Sequence, residues 1–124
     1  MNEIDVARII AALETVRAPA LPGEYDLHGM IAAALERAGI PCAHEYRLAP
    51  RCRIDFLCGD VGIEVKKGRP APAQLRKQLS RYLESDELRE VVVVMQRAVH
   101  MPETISGKRV HVVSLNMNWG IALP

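Results

Sequence analysis

Long apolar runs are missing from this sequence of 124 residues. A membrane-spanning helix needs about 20 consecutive apolar residues, and every apolar stretch here is shorter and interrupted by charged or polar side chains. The N-terminal stretch MNEIDVARII is acidic and amphipathic, and it lacks the basic-then-apolar order of a signal peptide. We therefore expect a cytoplasmic protein with no membrane partner.

Cysteine is also scarce. Cys42, Cys52 and Cys58 are odd in number and form no CxxC pair. An odd count favours reduced thiols, which agrees with a cytosolic setting. A zinc site that also uses His44 is the alternative, but lone cysteines in strands are usually small core residues. We therefore expect three free thiols and no zinc.

The formal net charge of +1 hides an uneven distribution of charge. Nine Lys and Arg residues but only three acids lie between Arg47 and Arg81, so the rest of the chain holds seven basic and twelve acidic residues. Such a run can be only a solvated surface. A basic patch on a nearly neutral chain also suits a polyanionic partner that binds at one place.

The order of apolar patterns predicts one α/β domain over residues 1–124. Antiparallel strands come first, and a helical crossover then leads to a buried strand, which gives a mixed sheet with helices on both faces. We found no repeat, low-complexity segment or second domain. The predicted helices cover 3–17, about 24–38 and about 72–84, the APALPG linker covers 18–23, and the predicted strands cover 42–48, 53–58, 61–67, 91–96, 109–115 and 119–123.

The segment RIDFLCGDVGIEVKKG (53–68) predicts a hairpin that brings two carboxylates together. A two-residue turn at 59–60 pairs Cys58 with Val61, and this register sets Asp55 opposite Glu64. Directly opposed residues hold their Cβ atoms about 4.5–5.5 Å apart. By alternation one face carries Arg53, Asp55, Leu57, Glu64 and Lys66, and the other carries Ile54, Phe56, Ile63 and Val65.

Two carboxylates this close repel by about 4 kcal/mol at an effective dielectric constant of about 20. A shared proton, neutralisation by Arg53 and Lys66, or a bound divalent cation would each remove this cost. The two carboxylates and the Val65 carbonyl are hard oxygen ligands that leave room for waters. Mg²⁺ prefers such partial coordination.

Asp55, followed after eight residues by Glu64-Val65-Lys66, resembles the signature of the PD-(D/E)XK nuclease superfamily, with Ile54 at the position of the Pro in that name. The element order over residues 24–96 is similar to the family's restriction-endonuclease-like αβββαβ core, to which this chain adds an N-terminal helix and C-terminal strands. Gln78 and Tyr82 resemble the Gln-xxx-Tyr element of RecB-like and lambda-exonuclease-like members. Small VRR-NUC-like enzymes and Holliday-junction resolvases are comparable in size.

The resemblance implies a nuclease that hydrolyses phosphodiester bonds of DNA with Mg²⁺ or Mn²⁺. It would act as an endo- or exonuclease, selective for DNA structure or ends, in replication, repair or phage-type recombination, and would leave a 5′-phosphate. Asp55, Glu64 and the Val65 carbonyl would hold the metal ion. Lys66 would orient the attacking water, and Gln78 would position water or phosphate.

Further residues receive supporting roles. The family commonly has an extra acid on the helix before the strands, and Glu24 matches it, with His28 as a neighbouring accessory residue. Glu45 is the rival for this extra acid, unless it only forms a salt bridge with Arg53. Tyr82 also fits the apolar stripe of its helix, so it is either an accessory residue or a core residue. The residues expected to hold the DNA backbone are Arg53, Lys67, Arg69 and Arg81.

Two alternatives remain open. The chain could be a non-catalytic nucleic-acid-binding or assembly module that retains the nuclease fold, or a structural α/β protein whose hairpin charges neutralise each other. Its five aromatic residues, and the lack of a helix with base-reading side chains, argue against sequence-specific recognition. A homodimer of the resolvase type would use residues 3–17 or 109–123 as its interface, by analogy only.

Overall fold

A computed structural model describes residues 5–17 and 26–115 of the chain. Two helices, three strands, a third helix and three more strands follow one another in these residues, so the protein is α/β. The helices are α1 (Val6–Leu13), α2 (Leu27–Arg37) and α3 (Pro72–Leu83), and the strands are β1 (Ala43–Ala49), β2 (Cys52–Cys58), β3 (Val61–Lys66), β4 (Glu90–Met95), β5 (Thr104–Ile105) and β6 (Lys108–Ser114).

The strands form one mixed sheet in the order β1-β2-β3-β4-β6-β5. The first three strands are antiparallel, while β3, β4 and β6 run parallel. Parallel neighbours need a crossover connection, and α3 supplies it between β3 and β4. The predicted α/β class and mixed sheet are confirmed. The two-residue strand β5, which pairs with β6, has no counterpart in the sequence prediction.

The helix ends follow from capping residues. The Asp26 carboxylate accepts the N–H of Gly29 at 2.8 Å, so α2 begins at Leu27, later than predicted. Gly39 has a φ of 72° and ends this helix as predicted. The helix predicted for residues 3–17 is only eight residues long, from Val6 to Leu13. Glu24, the linker 18–23 and the strand predicted for 119–123 lie outside the described residues.

The sheet lies between two apolar layers. One layer packs α1 and α2 against residues such as Phe56 and Ile63, and the other packs α3 through Leu75 and Leu79. Every residue of β4 is buried, because its side chains alternate between the two layers. The prediction of a strand buried on both faces is therefore confirmed. No helix among residues 5–17 and 26–115 is long and apolar enough to cross a membrane.

The side chains of β2 do not alternate as predicted. Ile54 packs in the α3 layer, whereas Phe56 packs in the layer of α1 and α2. The paired positions of β1 and β2 omit Glu45 and Asp55, and Glu45 has a φ of 55°, a left-handed backbone that turns the strand. The prediction that Ile54 and Phe56 share a face is therefore wrong. Gly62 accommodates Ile54, because a Cβ at position 62 would lie 2.5 Å from Ile54 Cδ1.

The prediction of three reduced thiols is also wrong. Cys42 and Cys58 form a disulfide, and Cys52 is free and buried. The register of β1 with β2 explains the pairing. Because Ala43 pairs with Leu57, Cys42 just before β1 lies next to Cys58 of β2, and the two Cα atoms are 4.3 Å apart. The zinc alternative loses two of its thiolate ligands. A cytoplasmic location also loses the support that it drew from reduced thiols.

Counting thiols tests this pairing. The denatured but unreduced protein should react with one equivalent of a thiol reagent, because Cys52 is the single free cysteine. After reduction all three cysteines should react. The native protein should react slowly, because Cys52 is only 8% exposed. Three equivalents without reductant would show that Cys42 and Cys58 are not bonded.

Candidate active site

The β2–β3 hairpin has the predicted register over its first three pairs, but the predicted pair of Asp55 with Glu64 is not among the paired positions. Cys58 pairs with Val61, and two further pairs lead to Phe56 opposite Ile63. Beyond these pairs, the side chain of Asp55 binds the main chain of β3: its Oδ2 accepts the N–H of Val65 at 2.8 Å. This bond fixes the Asp55 carboxylate beside β3. Asp55 Oδ1 has no hydrogen bond to any other residue that the structure describes.

Glu64 is a buried carboxylate with one satisfied oxygen. Glu64 is only 3% exposed, and its Oε2 lies 3.1 Å from Lys66 Nζ. Its Oε1 is buried and has no hydrogen-bond partner among residues 5–17 and 26–115. Burial raises the pKa of Glu64 to about 7, with help from the charge of Asp55 and against the opposing effects of the Lys66 ammonium and the nearby Tyr82 hydroxyl. Near neutral pH the protein therefore holds this carboxyl partly protonated.

Helix α3 brings Gln78 and Tyr82 to the same region. Gln78 Nε2 donates to the Tyr82 hydroxyl at 2.9 Å, and that hydroxyl donates to the Arg53 carbonyl oxygen at 3.2 Å. Burial, followed by the charge of Glu64, raises the pKa of Tyr82, so the phenol stays protonated and keeps donating. Tyr82 belongs to the apolar core of the α3 layer, as the core interpretation predicted, and it also anchors β2.

His28 and Glu45 have different surroundings. His28 Nε2 lies 4.0 Å from Asp55 Oδ2, so the accessory residue does reach the site. Glu45 instead forms an exposed salt bridge with Arg53 at 3.3 Å, which is the simpler of its two interpretations. His44, which sequence reasoning weighed only for zinc, lies 3.4 Å from His28 through their ring nitrogens. No sequence signal marked His44, because its position opposite Phe56, against which its ring stacks, depends on the register of β1 with β2.

A basic groove of about 630 Å³ opens next to Lys66. Lys67 and Arg81, two of the residues predicted to bind the DNA backbone, line it. Arg69 is exposed but does not line it. Sequence reasoning missed Gln74 and Lys77, which line the groove because they lie three or four residues from Gln78 and Arg81 on α3. The groove residues are Lys66, Lys67, Pro70, Ala71, Gln74, Leu75, Lys77, Gln78 and Arg81.

Asp55, Glu64 and the Val65 carbonyl are the candidate ligands for a divalent cation. Within the described part of the chain, no group of three or more His, Cys, Asp and Glu side chains is arranged to hold a metal ion. Asp55 and Glu64 do each retain an oxygen without a hydrogen bond to the other described residues. Mg²⁺ is often held by one or two carboxylates with several waters. Two carboxylates and the Val65 carbonyl fit that pattern.

Comparisons with known proteins give no family for this chain. A scan against protein-family models, a search of curated proteins and a search of solved structures each found no match. Function must therefore be inferred from the residues of the site.

Proposed function

We propose that this protein is a nuclease that uses Mg²⁺ or Mn²⁺ to hydrolyse phosphodiester bonds of DNA. The observation that carries the proposal is Glu64, a buried carboxylate with one unpartnered oxygen, beside Asp55 and Lys66. Unpaired buried carboxylate oxygens are costly, so they are rare without a function. Titratable groups with strongly shifted pKa values also concentrate at functional sites.

The chain order supports a restriction-endonuclease-like arrangement as part of this proposal. Helix α2 precedes the antiparallel strands β1, β2 and β3, and α3 then leads to the parallel strand β4. This order agrees with the αβββαβ core of the PD-(D/E)XK nucleases. Both carboxylates and Lys66 lie on the β2–β3 hairpin, where the motif of that family requires them.

The carboxylates and their supports have separate roles. Asp55, Glu64 and the Val65 carbonyl would hold Mg²⁺ or Mn²⁺, which when bound supplies Lewis-acid stabilisation of charge on the scissile phosphate. The Val65 N–H fixes Asp55 Oδ2 and leaves Oδ1 for this purpose. Burial of Glu64 keeps its carboxylate in a low-dielectric setting, where its electrostatic interactions are strong.

Lys66 and Gln78 act on the substrate side. The Lys66 ammonium is partly exposed at the edge of the basic groove, where it orients the attacking water and offsets phosphate charge. Gln78 is held through its Nε2 by Tyr82, so its Oε1 remains to position water or phosphate. Lys67 and Arg81 bind the backbone of the DNA from the groove walls.

Metal-dependent cleavage tests the proposal. Labelled linear, branched and single-stranded DNA would be incubated with Mg²⁺ or Mn²⁺ and the wild type or Asp55→Asn. Asparagine can still accept the Val65 N–H, so the fold should persist while cleavage falls by about 100-fold or more. Asp86→Asn, at an exposed turn, is the matched control and should cleave normally. Wild-type protein that cuts none of these substrates and binds neither metal in a calorimeter would refute the proposal.

A second candidate is a non-catalytic nucleic-acid-binding module. The observation in its favour is the direct salt bridge of 3.1 Å between Lys66 and Glu64, which already offsets part of the buried charge. This candidate expects DNA binding through the basic groove with neither turnover nor metal binding. The same experiment separates it from the nuclease.

A further inference from the structure

The tip of the β1–β2 hairpin, residues 47–53, forms an arginine-rich surface outside the carboxylate site and the basic groove. A cavity of about 300 Å³ at this tip is lined by Arg47, Arg51, Cys52 and Arg53. Arg47 and Arg51 are exposed, and neither forms a salt bridge with any residue that the structure describes. The tip therefore presents positive charge that no acid of the described chain neutralises, apart from the Arg53 pair with Glu45.

This surface is continuous with the basic groove. A small cavity of about 100 Å³ lies between them and is lined by Gln78 and Arg81 from the groove and by Arg51 and Arg53 from the hairpin tip. Shared lining residues thus connect the groove, the small cavity and the tip. We call this connected surface the basic path. Its cationic residues are Lys66, Lys67, Lys77, Arg81, Arg53, Arg51 and Arg47.

Helix α3 holds the hairpin tip in position. Arg81 Nη2 donates to the carbonyl oxygen of Arg51 at 3.2 Å, and the Tyr82 hydroxyl donates to that of Arg53 at 3.2 Å. Arg51 has a φ of 61°, a left-handed backbone that is uncommon for a residue other than glycine. Two main-chain anchors therefore fix the tip relative to Lys66. A main chain that is already ordered loses less freedom when it binds an anion than a mobile one does, although the exposed Arg47 and Arg51 side chains must still be ordered.

We propose that Arg47 and Arg51 form a second phosphate-binding subsite, which holds the backbone of duplex DNA at a distance from the scissile phosphate. This inference rests on the proposed function, because that function places the scissile phosphate beside Lys66. Exposed cations without acid partners bind phosphates independently of base sequence. The subsite extends the substrate contact from the groove to the far end of β1 and β2.

Among the residues that the structure describes, the basic path has no exposed aromatic ring, which favours a duplex over a single strand. Sites for single-stranded nucleic acids combine basic grooves with exposed aromatic rings on which bases stack. Among the described residues, Phe56 and Tyr82 are buried, and Tyr46 is half-buried with its hydroxyl donated to Glu87. The described residues of the basic path therefore offer contacts to the phosphate backbone and no aromatic ring on which a base could stack.

Equilibrium binding tests this subsite. Fluorescence anisotropy would compare a short labelled duplex with one of its single strands, in EDTA to prevent cleavage, over a range of salt concentrations. The wild type should bind the duplex more tightly. The double variant Arg47→Gln/Arg51→Gln should bind it about 10-fold or more weakly at low salt, with a salt slope lower by about 2, because each lost phosphate contact lowers the slope by about 0.9.

Arg37→Gln/Arg109→Gln is the matched control. It removes the same charge from exposed positions away from the basic path and should stay within about 2-fold of wild type. Thermal unfolding should show that both double variants are folded, because the hairpin tip is anchored through main-chain oxygens that the substitutions leave in place.

The outcomes separate the subsite from the nuclease proposal. Unchanged duplex binding by the hairpin variant, or equal losses in both double variants, would overturn the subsite even if the wild type cleaves DNA. Tighter binding of the single strand by the wild type would overturn the duplex assignment. Wild type that binds as expected but never cleaves with metal would refute the proposed activity and still support the subsite as a binding surface.

Discussion

Glu64→Gln should abolish metal-dependent cleavage and at the same time make the metal-free protein more stable at alkaline pH. The amide has nearly the shape of the carboxylate but cannot ionise or hold a divalent cation well. Cleavage should fall by about 100-fold or more, because the metal ion loses a charged ligand. Stability should rise because a buried charge with an unpartnered oxygen is removed.

The pH dependence of this gain follows from the raised pKa. Glu64 titrates at about 7 in the folded protein and at 4.5 in the reference state, so the folded state binds its proton more tightly. Ionisation of Glu64 therefore destabilises the folded protein. This loss of stability is absent below pH 4.5, grows between pH 4.5 and about 7, and is complete above that range. A difference of this size corresponds to about 3 kcal/mol as an upper bound. The variant should therefore match the wild type near pH 4 and exceed it by about 1–3 kcal/mol at pH 8.5.

Urea unfolding in EDTA at several pH values measures this difference. Glu103→Gln, at an exposed position, is the control and should leave the free energy of unfolding within about 0.5 kcal/mol of wild type at every pH. Added Mg²⁺ should stabilise the wild type and not the Glu64 variant. A variant that is less stable than wild type at pH 8.5 would mean that the Glu64 carboxylate is a structural group.

Lys66→Met should abolish cleavage and, in contrast, destabilise the protein. Lys66 Nζ is the cation within 3.1 Å of Glu64 Oε2, so methionine leaves the buried carboxylate without its partner. Removing one member of a buried ion pair can cost about 3–5 kcal/mol. Protonation of Glu64 limits the loss here, so we expect about 1–3 kcal/mol at pH 8.5 and less at pH 5. Loss of the groove cation should lower cleavage by about 100–1,000-fold.

A double-variant cycle isolates the pair. Glu64→Gln/Lys66→Met should be more stable than Lys66→Met alone at pH 8.5, because the uncompensated charge has gone, and the coupling should be about 1–3 kcal/mol. Lys77→Met is the matched control for stability, since Lys77 lines the same groove without a salt bridge to any described residue. Cleavage by Lys66→Met at the wild-type rate would remove Lys66 from the mechanism. A coupling near zero would show that the two charges do not interact.

The sequence predicted those parts of the fold that depend on local signals. The two-residue turn at 59–60 sets every later pair of the β2–β3 hairpin, so the register followed from one turn. Pro72 and the apolar spacing that begins at Leu75 marked α3, and the run of valines in β4 marked a strand buried on both faces. The placement of Asp55, Glu64 and Lys66 on one hairpin was predictable from the same turn, but the hydrogen bond from Val65 N–H to Asp55, which replaces the expected pairing of Asp55 with Glu64, was not.

Other parts depend on tertiary contacts that no local signal specifies. The left-handed backbone of Glu45, which accompanies the change of face along β2, occurs at a residue type that gives no warning of it. The Cys42–Cys58 disulfide depends on the register of β1 with β2. The turn between these strands contains no glycine, so the sequence did not predict this register. The burial of Glu64 and the hydrogen bond from Tyr82 to Arg53 arise only when α3 packs on the sheet.

Adjacent residues of α3, Arg81 and Tyr82, each hold a main-chain oxygen of the β1–β2 hairpin. The hairpin tip therefore cannot swing away from the sheet unless the last turn of α3 releases it. In terms of native-state fluctuations, these two elements form one cooperative unit although 30 residues separate Arg51 from Arg81 in the chain. A polyanion that occupies either surface restrains the opening of both.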